Sequence, residues 1–341
     1  MIRTSALRLE RPRSFVTTAV CLAISAALAG GCERKATEQP AAAAGEQPAP
    51  AAAEVPAAAA AERPVVYTTF YPTTYFTQRI AGDRAEIVCP CPADADPAFW
   101  MPDDETIAAY QQADLIIVNG ASFEKWLGKA TLPISRIVDT TKPLADELIV
   151  LKDAVRHTHG PSGEHSHEGI DGHTWLDPIN AKTQAGEIEA ALVERFPAHK
   201  EAFEQGYAAL SKDLDALDAR LRSLSEKISE QVLLCNHPAW NYVARRYGWQ
   251  LKTFHLDPET MPGEEALNAI RTFLEDQPVT YMLWEAEPTA EIAGKMREEF
   301  ELKSVVYSPG EALDKEQLEA GEDFLTVMRA NVDRLEAALA D

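Results

Sequence analysis

Histidines are concentrated in one short stretch of this chain. Of the eight histidines, five fall between His157 and His173, in "HTHGPSGEHSHEGIDGH". Neutral imidazole is a preferred donor for Zn²⁺, so this density points to metal chemistry. The first four lie among Gly, Ser, Pro and Glu, which predicts a mobile loop over residues 156–168 that collects metal weakly or is simply solvated. These four are His157, His159, His165 and His167.

Three other histidines and one glutamate stand where a fold can hold them rigidly. His173 precedes "TWLDP", a segment that apolar side chains can anchor, and His237 follows the apolar strand "VLLCN". Glu285 ends the strand "VTYMLWE", and His255 ends "WQLKTFH". In open α/β sheets the carboxyl ends of the strands face the ligand crevice. We therefore predict a fixed metal site made by His173, His237 and Glu285, with His255 as a further candidate.

The cysteines give a weaker signal. Cys89, Cys91 and Cys235 lie in the part of the chain that can fold, and their odd number and C-P-C spacing argue against a disulfide framework. They are either small buried residues or soft ligands near a metal.

The elements that must position these residues form two blocks. Strand-like and helix-like segments alternate from "PVVYTTF" to "RIVDTT" and again from "QVLLCN" to the end of the chain. Such alternation predicts βαβ units and mostly parallel sheets. We predict an α/β fold with an N-terminal lobe over residues 64–196 and a C-terminal lobe over residues 231–341. The spacing also predicts a short helix over "FEKWLGKA".

A long helix is predicted between the two blocks, over residues 197–230. From Phe203 to Ile228 the apolar residues recur at steps of 4, 3, 4, 3, 4, 3 and 4. This is one continuous helical stripe, and Pro197 suits the first turn. A coiled-coil dimer is the competing interpretation. We favour a rod that packs across both lobes, because the two blocks need a connection.

The pattern of the first 63 residues predicts an export signal and a tether rather than part of a folded domain. A cationic start, a short apolar run and small residues before Cys32 indicate a signal peptide over residues 1–31. The apolar run is short for a membrane span, and "LAGGC" resembles a lipobox, so we expect Cys32 to be lipidated. The Ala/Pro-rich residues 32–63 are expected to be a tether.

The chain is strongly acidic, with a formal net charge of −22. Such a charge argues against binding to nucleic acid, and it suits a soluble domain that attracts cations.

Several motifs together resemble one family, the metal-binding components of ABC importers for zinc and manganese. They include "AGDRAEIVCPCPADADP", "ADLIIVNGASFEKWL", the histidine-rich stretch, "DGHTWLDPINAK", "NHPAWNYVARRYG" and "LWEAEPTAEIAGKM", in order across residues 64–341. The resemblance implies two α/β lobes joined by one long rigid helix, with the metal in the cleft between them.

The family's donors carry over only in part. The second and third family histidines match His173 and His237. The first falls at Ala98 in "DPAFWMP", which cannot bind metal, and the usual late carboxylate falls at Ser308 in "VYSPG". Two of the four usual donor positions are therefore filled. Glu285 is our first candidate to complete the set and His255 the second. The third candidates are Asp94, Asp96, Cys89 and Cys91, which lie near Ala98, and a histidine of the loop could also complete the set.

The resemblance implies a binding protein rather than an enzyme. We expect an exported, lipid-anchored, monomeric protein at the extracytoplasmic face of a bacterial membrane, which passes a divalent metal to a permease and its ATPase. Two imidazoles favour zinc as cargo, with manganese possible. A metal buffer, chaperone or adhesin with the same fold is the alternative. A zinc hydrolase is a weaker one, because no H-E-x-x-H signature is present.

Overall fold

A computed structural model describes residues 63–158, 164–228 and 231–340. The predicted signal peptide, the lipidation site Cys32 and nearly all of the tether lie outside these residues, and so does His159. Within the described ranges, no helix has an apolar stretch of the length that a bilayer crossing requires.

The N-terminal lobe is built on a parallel four-stranded sheet. Its strands are β1 (Val65–Thr68), β2 (Glu86–Val88), β3 (Leu115–Val118) and β4 (Ile137–Asp139), and its helices are α1 (Tyr71–Ala81), α2 (Asp104–Gln112) and α3 (Pro178–Arg195). The strand order is β2-β1-β3-β4. All four residues of β3 are buried, as expected of a central strand covered on both faces.

The C-terminal lobe repeats this topology. Its strands are β7 (Val232–Cys235), β8 (Gln250–Thr253), β9 (Tyr281–Trp284) and β10 (Lys303–Val306), in the order β10-β9-β7-β8. Read from the other edge, this is the order of the first lobe. The helices are α5 (Asn241–Tyr247), α6 (Glu264–Asp276), α7 (Ala290–Phe300), α8 (Lys315–Glu319) and α9 (Phe324–Ala340). The predicted two-lobed α/β fold is confirmed.

One long helix, α4 (Lys200–Ile228), follows a 3₁₀ turn at Pro197–His199. At 1.5 Å per residue it is about 44 Å long. Its predicted stripe is buried, from Phe203 through Leu210, Leu214, Leu217, Leu221 and Leu224 to Ile228. The helix packs against α1 and α3 of one lobe and against α9 and α5 of the other. The stripe is therefore covered within the chain, which removes the reason for a coiled-coil dimer.

A close helix crossing fixes α4 on the N-terminal lobe. A Cβ atom at Gly206 would lie 2.4 Å from the carbonyl oxygen of Ile80, on α1. Only glycine permits this approach. Apolar side chains of both lobes and of α4 form one continuous core, so the lobes share the interior that holds them together.

Two local predictions were wrong. The helix expected over "FEKWLGKA" is only a 3₁₀ turn at Leu127–Lys129. The buried Glu124 carboxylate accepts hydrogen bonds from the amide of Asn119 (2.6 Å) and the hydroxyl of Thr69 (2.6 Å), which holds the chain in a tight turn.

The expected mobile loop over 156–168 is the second error. Its described residues belong to an antiparallel hairpin of β5 (Val150–Thr158) and β6 (Glu164–Ile170). The backbones of the two segments satisfy each other's hydrogen bonds across the ribbon.

Candidate metal site

A cleft lies where the carboxyl edges of the two sheets face each other. It is a cavity of about 450 Å³. Its walls come from the loops that follow β2, β3, β7, β8, β9 and β10 and from the segment before α3; they include Asp96, Ala98, Phe123, His173, His237, Asp257, Glu285, Ser308 and Glu311. The parallel strands of both lobes thus direct their loops into one cleft, as the strand-end argument predicts.

His173 enters the cleft from the N-terminal lobe. It precedes the 3₁₀ turn Thr174–Leu176, and Asp177 then caps α3 by accepting a hydrogen bond from the amide of Ile179. The imidazole is 6% exposed. Its Nδ1 lies 2.7 Å from Asp171 Oδ1 and its Nε2 lies 3.2 Å from Glu311 Oε1. Burial opposes a charged ring, but the hydrogen bonds to the two carboxylates outweigh it and raise the pKa of His173 to about 10.

His237 enters from the C-terminal lobe, two residues beyond β7. It is also buried, and its Nδ1 lies 3.5 Å from Glu285 Oε2. The ring centroids of His237 and His173 are 5.3 Å apart. The two imidazoles, predicted from separate segments, therefore meet across the cleft.

Glu285 is held in place by a reciprocal pair of hydrogen bonds with Asn236. The Asn236 amide donates to Glu285 Oε1 (3.1 Å), and the Glu285 backbone N–H donates to Asn236 Oδ1 (3.0 Å). Burial, and then the nearby charge of Glu311, raise the pKa of Glu285 to about 8. At neutral pH this carboxyl is therefore mostly protonated, and a cation bound to it would displace the proton.

Glu311 was missed in the sequence. It lies three residues beyond Ser308, after a turn in which Gly310 has a φ of 64°, and its carboxylate contacts His173. The Ser308 hydroxyl lines the cleft but accepts a hydrogen bond from the Gly310 amide (3.2 Å). Ser308 thus stands at the position of the family's usual late carboxylate, and the carboxylate of Glu311 reaches the cleft one turn later. A turn-forming Gly beside an acidic residue at a strand end was the available signal.

Asp96 stands at the corner left open by Ala98. It lines the cavity and accepts a hydrogen bond from the Ala98 amide (2.9 Å). Burial, and then the charge of Glu311, raise the pKa of Asp96 to about 6. Ala98 itself is buried, and Phe123 forms an aromatic wall 6.4 Å from the His173 ring. A Cβ atom at Gly172 would lie 2.9 Å from Phe123, so this wall packs tightly against the His173 segment.

Of the remaining candidates, only Asp94 reaches this cavity. His255 has a φ of 50° beyond β8 and is not part of the cavity wall; burial, and then the charge of Lys252, lower its pKa. Asp94 lies on the cavity rim, whereas Cys89 and Cys91 line a smaller adjoining cavity. Cys235 is buried in β7.

The hairpin histidines are placed by backbone register alone. His157 pairs with His165, and His167 pairs with Val155. The strands β5 and β6 form a two-stranded sheet of their own. Residue 170, which ends this hairpin, lines the cleft immediately before the His173 segment.

The site offers nitrogen and oxygen donors from both lobes: His173, His237, Glu285 and Glu311. Within the described ranges, no three His, Cys, Asp or Glu side chains are already gathered into a metal cage. The imidazoles instead face carboxylates. Binding a cation through His173 Nε2 requires this imidazole to exchange its contact with Glu311 for a metal bond and to release its proton.

Comparison with known proteins relates the chain to zinc uptake. The family described as ZnuA, zinc-uptake complex component A, periplasmic, matches residues 66–338. The zinc-binding lipoprotein AdcA of Streptococcus pneumoniae is 30% identical over 273 residues, 79% of this chain and 54% of AdcA. This chain thus spans about half of AdcA.

Two matches from Bacillus subtilis, one curated relative and one solved structure, are covered over most of their length. The high-affinity zinc uptake system protein ZnuA is 27% identical over 277 residues, 80% of this chain and 86% of that protein. The crystal structure of the metal-dependent lipoprotein YcdH superposes with a TM-score of 0.70 at 25% identity, over 81% of this chain and 98% of YcdH. The family is described as part of an uptake complex, which agrees with the prediction of a non-enzyme. The chain belongs to the family of periplasmic zinc-uptake complex component A.

Proposed function

We propose that the protein is the extracytoplasmic substrate-binding component of an ABC importer for zinc. It captures Zn²⁺ in the cleft and passes the ion to a membrane permease driven by an ATPase. It acts as a monomer, and lipidated Cys32 and the tether of residues 32–63 hold it at the membrane surface. The names of AdcA, a zinc-binding lipoprotein, and of ZnuA, a zinc uptake protein, support this proposal.

The observation that carries the proposal is the meeting of two buried imidazoles from different lobes. His173 and His237 are each 5% exposed, and their ring centroids lie 5.3 Å apart. Glu285 and Glu311 each contact one of these rings. Two nitrogen and two carboxylate donors suit a four-coordinate Zn²⁺, whereas Mn²⁺ favours oxygen-rich sites.

Capture works by local rearrangement rather than by a wide hinge motion. The indole of Trp175 donates to the Pro309 carbonyl of the other lobe (2.9 Å), and Arg246 on α5 forms an ion pair with the buried Asp177. Together with α4 these contacts fix the lobes, so metal entry turns side chains and cleft loops. The carboxylates that now face the imidazoles are the groups that turn toward the ion.

The test is zinc binding by the exported domain against a competing chelator. Metal-free protein should bind one equivalent of Zn²⁺ tightly, and Mn²⁺ more weakly. His173→Ala combined with His237→Ala should abolish the tight equivalent. His199→Ala is the matched control, because His199 lies outside the cleft, at the start of α4, against Phe203. A double variant that retains the tight equivalent excludes the cleft as the site.

Delivery distinguishes an importer subunit from a metal buffer or adhesin. Cells that lack the protein should grow poorly when a chelator depletes zinc, and added zinc should restore growth. The double histidine variant should fail to replace the native protein, while His199→Ala should succeed. Normal growth of the deletion strain in zinc-depleted medium, with no other zinc importer present, favours the buffer or adhesin.

A further inference from the structure

The carboxylate behind His173 is shared between the lobes. Asp171 directly follows β6 of the hairpin and lies two positions before His173, and its side chain is 1% exposed. Asp171 Oδ1 accepts hydrogen bonds from the backbone N–H of His173 (3.0 Å), and it lies 2.7 Å from His173 Nδ1. This oxygen fixes the ring and leaves Nε2 pointing into the cleft.

The rest of Asp171 is bound by the C-terminal lobe. The Asn241 amide donates to Asp171 Oδ2 (2.8 Å), and the Tyr242 hydroxyl donates to the Asp171 carbonyl oxygen (2.8 Å). The same hydroxyl accepts a hydrogen bond from the Ile149 amide (3.1 Å). Asn241 and Tyr242 are the first residues of α5, and Asn241 lies only four positions after His237. The segment that carries one metal-site histidine therefore holds the carboxylate that orients the other.

A second buried aspartate, Asp177, lies near Asp171 but is bound by a different kind of partner. Asp177 is also 1% exposed and is also bound by α5, but its partner is the guanidinium of Arg246, which neutralises it. Asn241 and Tyr242 donate hydrogen bonds to Asp171 without a positive charge. They hold Asp171 in position and leave its charge to act on His173 Nδ1.

We propose that Asn241 and Tyr242 are positioning residues for the metal site, which orient Asp171 and through it His173. This inference rests on the proposed zinc-binding function. Because α5 begins just after His237, the contact between Asp171 and the start of α5 sets the positions of the His173 and His237 imidazoles together. Loss of a partner of this kind lowers metal affinity by about 10–100-fold.

The experiment compares zinc affinity in four forms of the full exported domain: native, Asn241→Ala, Asn241→Gln and Asn268→Ala. Asn268 is an exposed residue of α6 in the same lobe and serves as the control. Asn241→Ala should weaken zinc binding by about 10–100-fold, Asn241→Gln should recover part of the loss because it retains the amide donor, and Asn268→Ala should bind as the native protein does. Tyr242→Phe provides a second variant should Asn241→Ala fold poorly.

Two readouts separate positioning from a general structural role. In an Asp171→Ala background, Asn241→Ala should have little further effect on zinc affinity, since the group through which it acts is gone. In the metal-free protein, the ¹⁵N signals of the His173 ring should change in Asn241→Ala but not in Asn268→Ala.

The outcomes distinguish this inference from the proposed function. Native protein that binds zinc tightly while Asn241→Ala and Tyr242→Phe bind equally well would overturn the inference alone. Native protein that binds no zinc would remove the proposed function and this inference with it. Unchanged His173 ring signals in metal-free Asn241→Ala would overturn the inference whatever the affinity for zinc.

Discussion

The cleft and the hairpin use the same residue type in different ways. His173 is buried, with Asp171 at one ring nitrogen and Glu311 at the other, and it faces His237 of the other lobe. The hairpin carries His157, His165 and His167 on strands that pair only with each other within the described residues. The cleft histidines are thus fixed by contacts from both lobes, whereas the hairpin histidines sit on an appended ribbon.

This difference shows that metal affinity depends on what surrounds an imidazole. A donor that is already oriented loses little freedom when it binds, and its affinity is correspondingly higher. We expect the cleft to hold one tightly bound ion and the hairpin to supply weaker equivalents near the entrance. The predictions below test this division of labour.

The largest expected effect is the dependence of the tight site on pH. Zinc must displace the protons of His173, whose pKa is raised to about 10, and of Glu285, whose pKa is raised to about 8. Below about pH 8 both protons compete, so affinity should rise by roughly 100-fold per pH unit. Imidazoles at their ordinary pKa of about 6.5 would instead give a flat profile above about pH 7.5. Calorimetry of a hairpin-deleted variant from pH 6 to 8 measures the slope, and a flat profile contradicts the assigned donors.

The next effect concerns Glu311, the carboxylate that we propose takes the place of the family's usual late donor. Glu311→Gln should weaken zinc binding by about 10–100-fold, because a neutral amide replaces one of the two carboxylate donors proposed for the ion. Ser308→Ala is the matched control, since the neutral Ser308 hydroxyl is a weak metal ligand and already accepts a hydrogen bond from the Gly310 amide. The zinc affinity of this variant should change by less than about 3-fold. Competition with a chelator measures both variants. A larger loss in Ser308→Ala would reverse the two roles.

A smaller effect is expected in the stability of the metal-free protein. The pKa values of Glu285 and His173 are higher in the folded protein than their ordinary values of 4.5 and 6.5, so the folded state binds these protons more tightly than the unfolded state does. The stability that they contribute is complete below those values and is lost as pH rises through about 8 and about 10. The melting temperature should fall by a few degrees between pH 6 and pH 9. In Glu285→Gln this fall should be shallower; an equal fall would assign it to other groups.

The smallest effect on the tight site should come from the hairpin. Deletion of residues 156–168, joined by a short Gly linker, should leave the affinity of the tight equivalent within about 3-fold, because its donors lie elsewhere. The weaker equivalents should disappear, and capture from dilute zinc should slow. Stoichiometry by titration and stopped-flow capture rates measure both effects. Loss of the tight equivalent would show that the hairpin completes the cleft site.

Local patterns in the sequence were enough to predict most of the fold. The stripe from Phe203 to Ile228 was predicted only from the spacing of its apolar residues, and it is buried as that spacing predicts. The segment "FEKWLGKA" shows the limit of such patterns. The buried carboxylate of Glu124 bonds to Thr69, fifty-five residues away, and this contact overrides the local helical spacing. The hairpin was missed for a similar reason, since a ribbon forms only when two polar segments pair with each other.

The sequence by itself determined the two-lobed plan and the positions of His173, His237 and Glu285 at the ends of elements, because periodicity and strand ends are encoded within a few residues. Only the tertiary structure decided that Glu311 contacts His173 and that Asn241 holds Asp171. Each of these contacts joins groups that are 70 or more residues apart, and it forms only because α4 and the shared core dock the lobes. The spacing of residues along the chain carries no information about which side chains meet across a cleft.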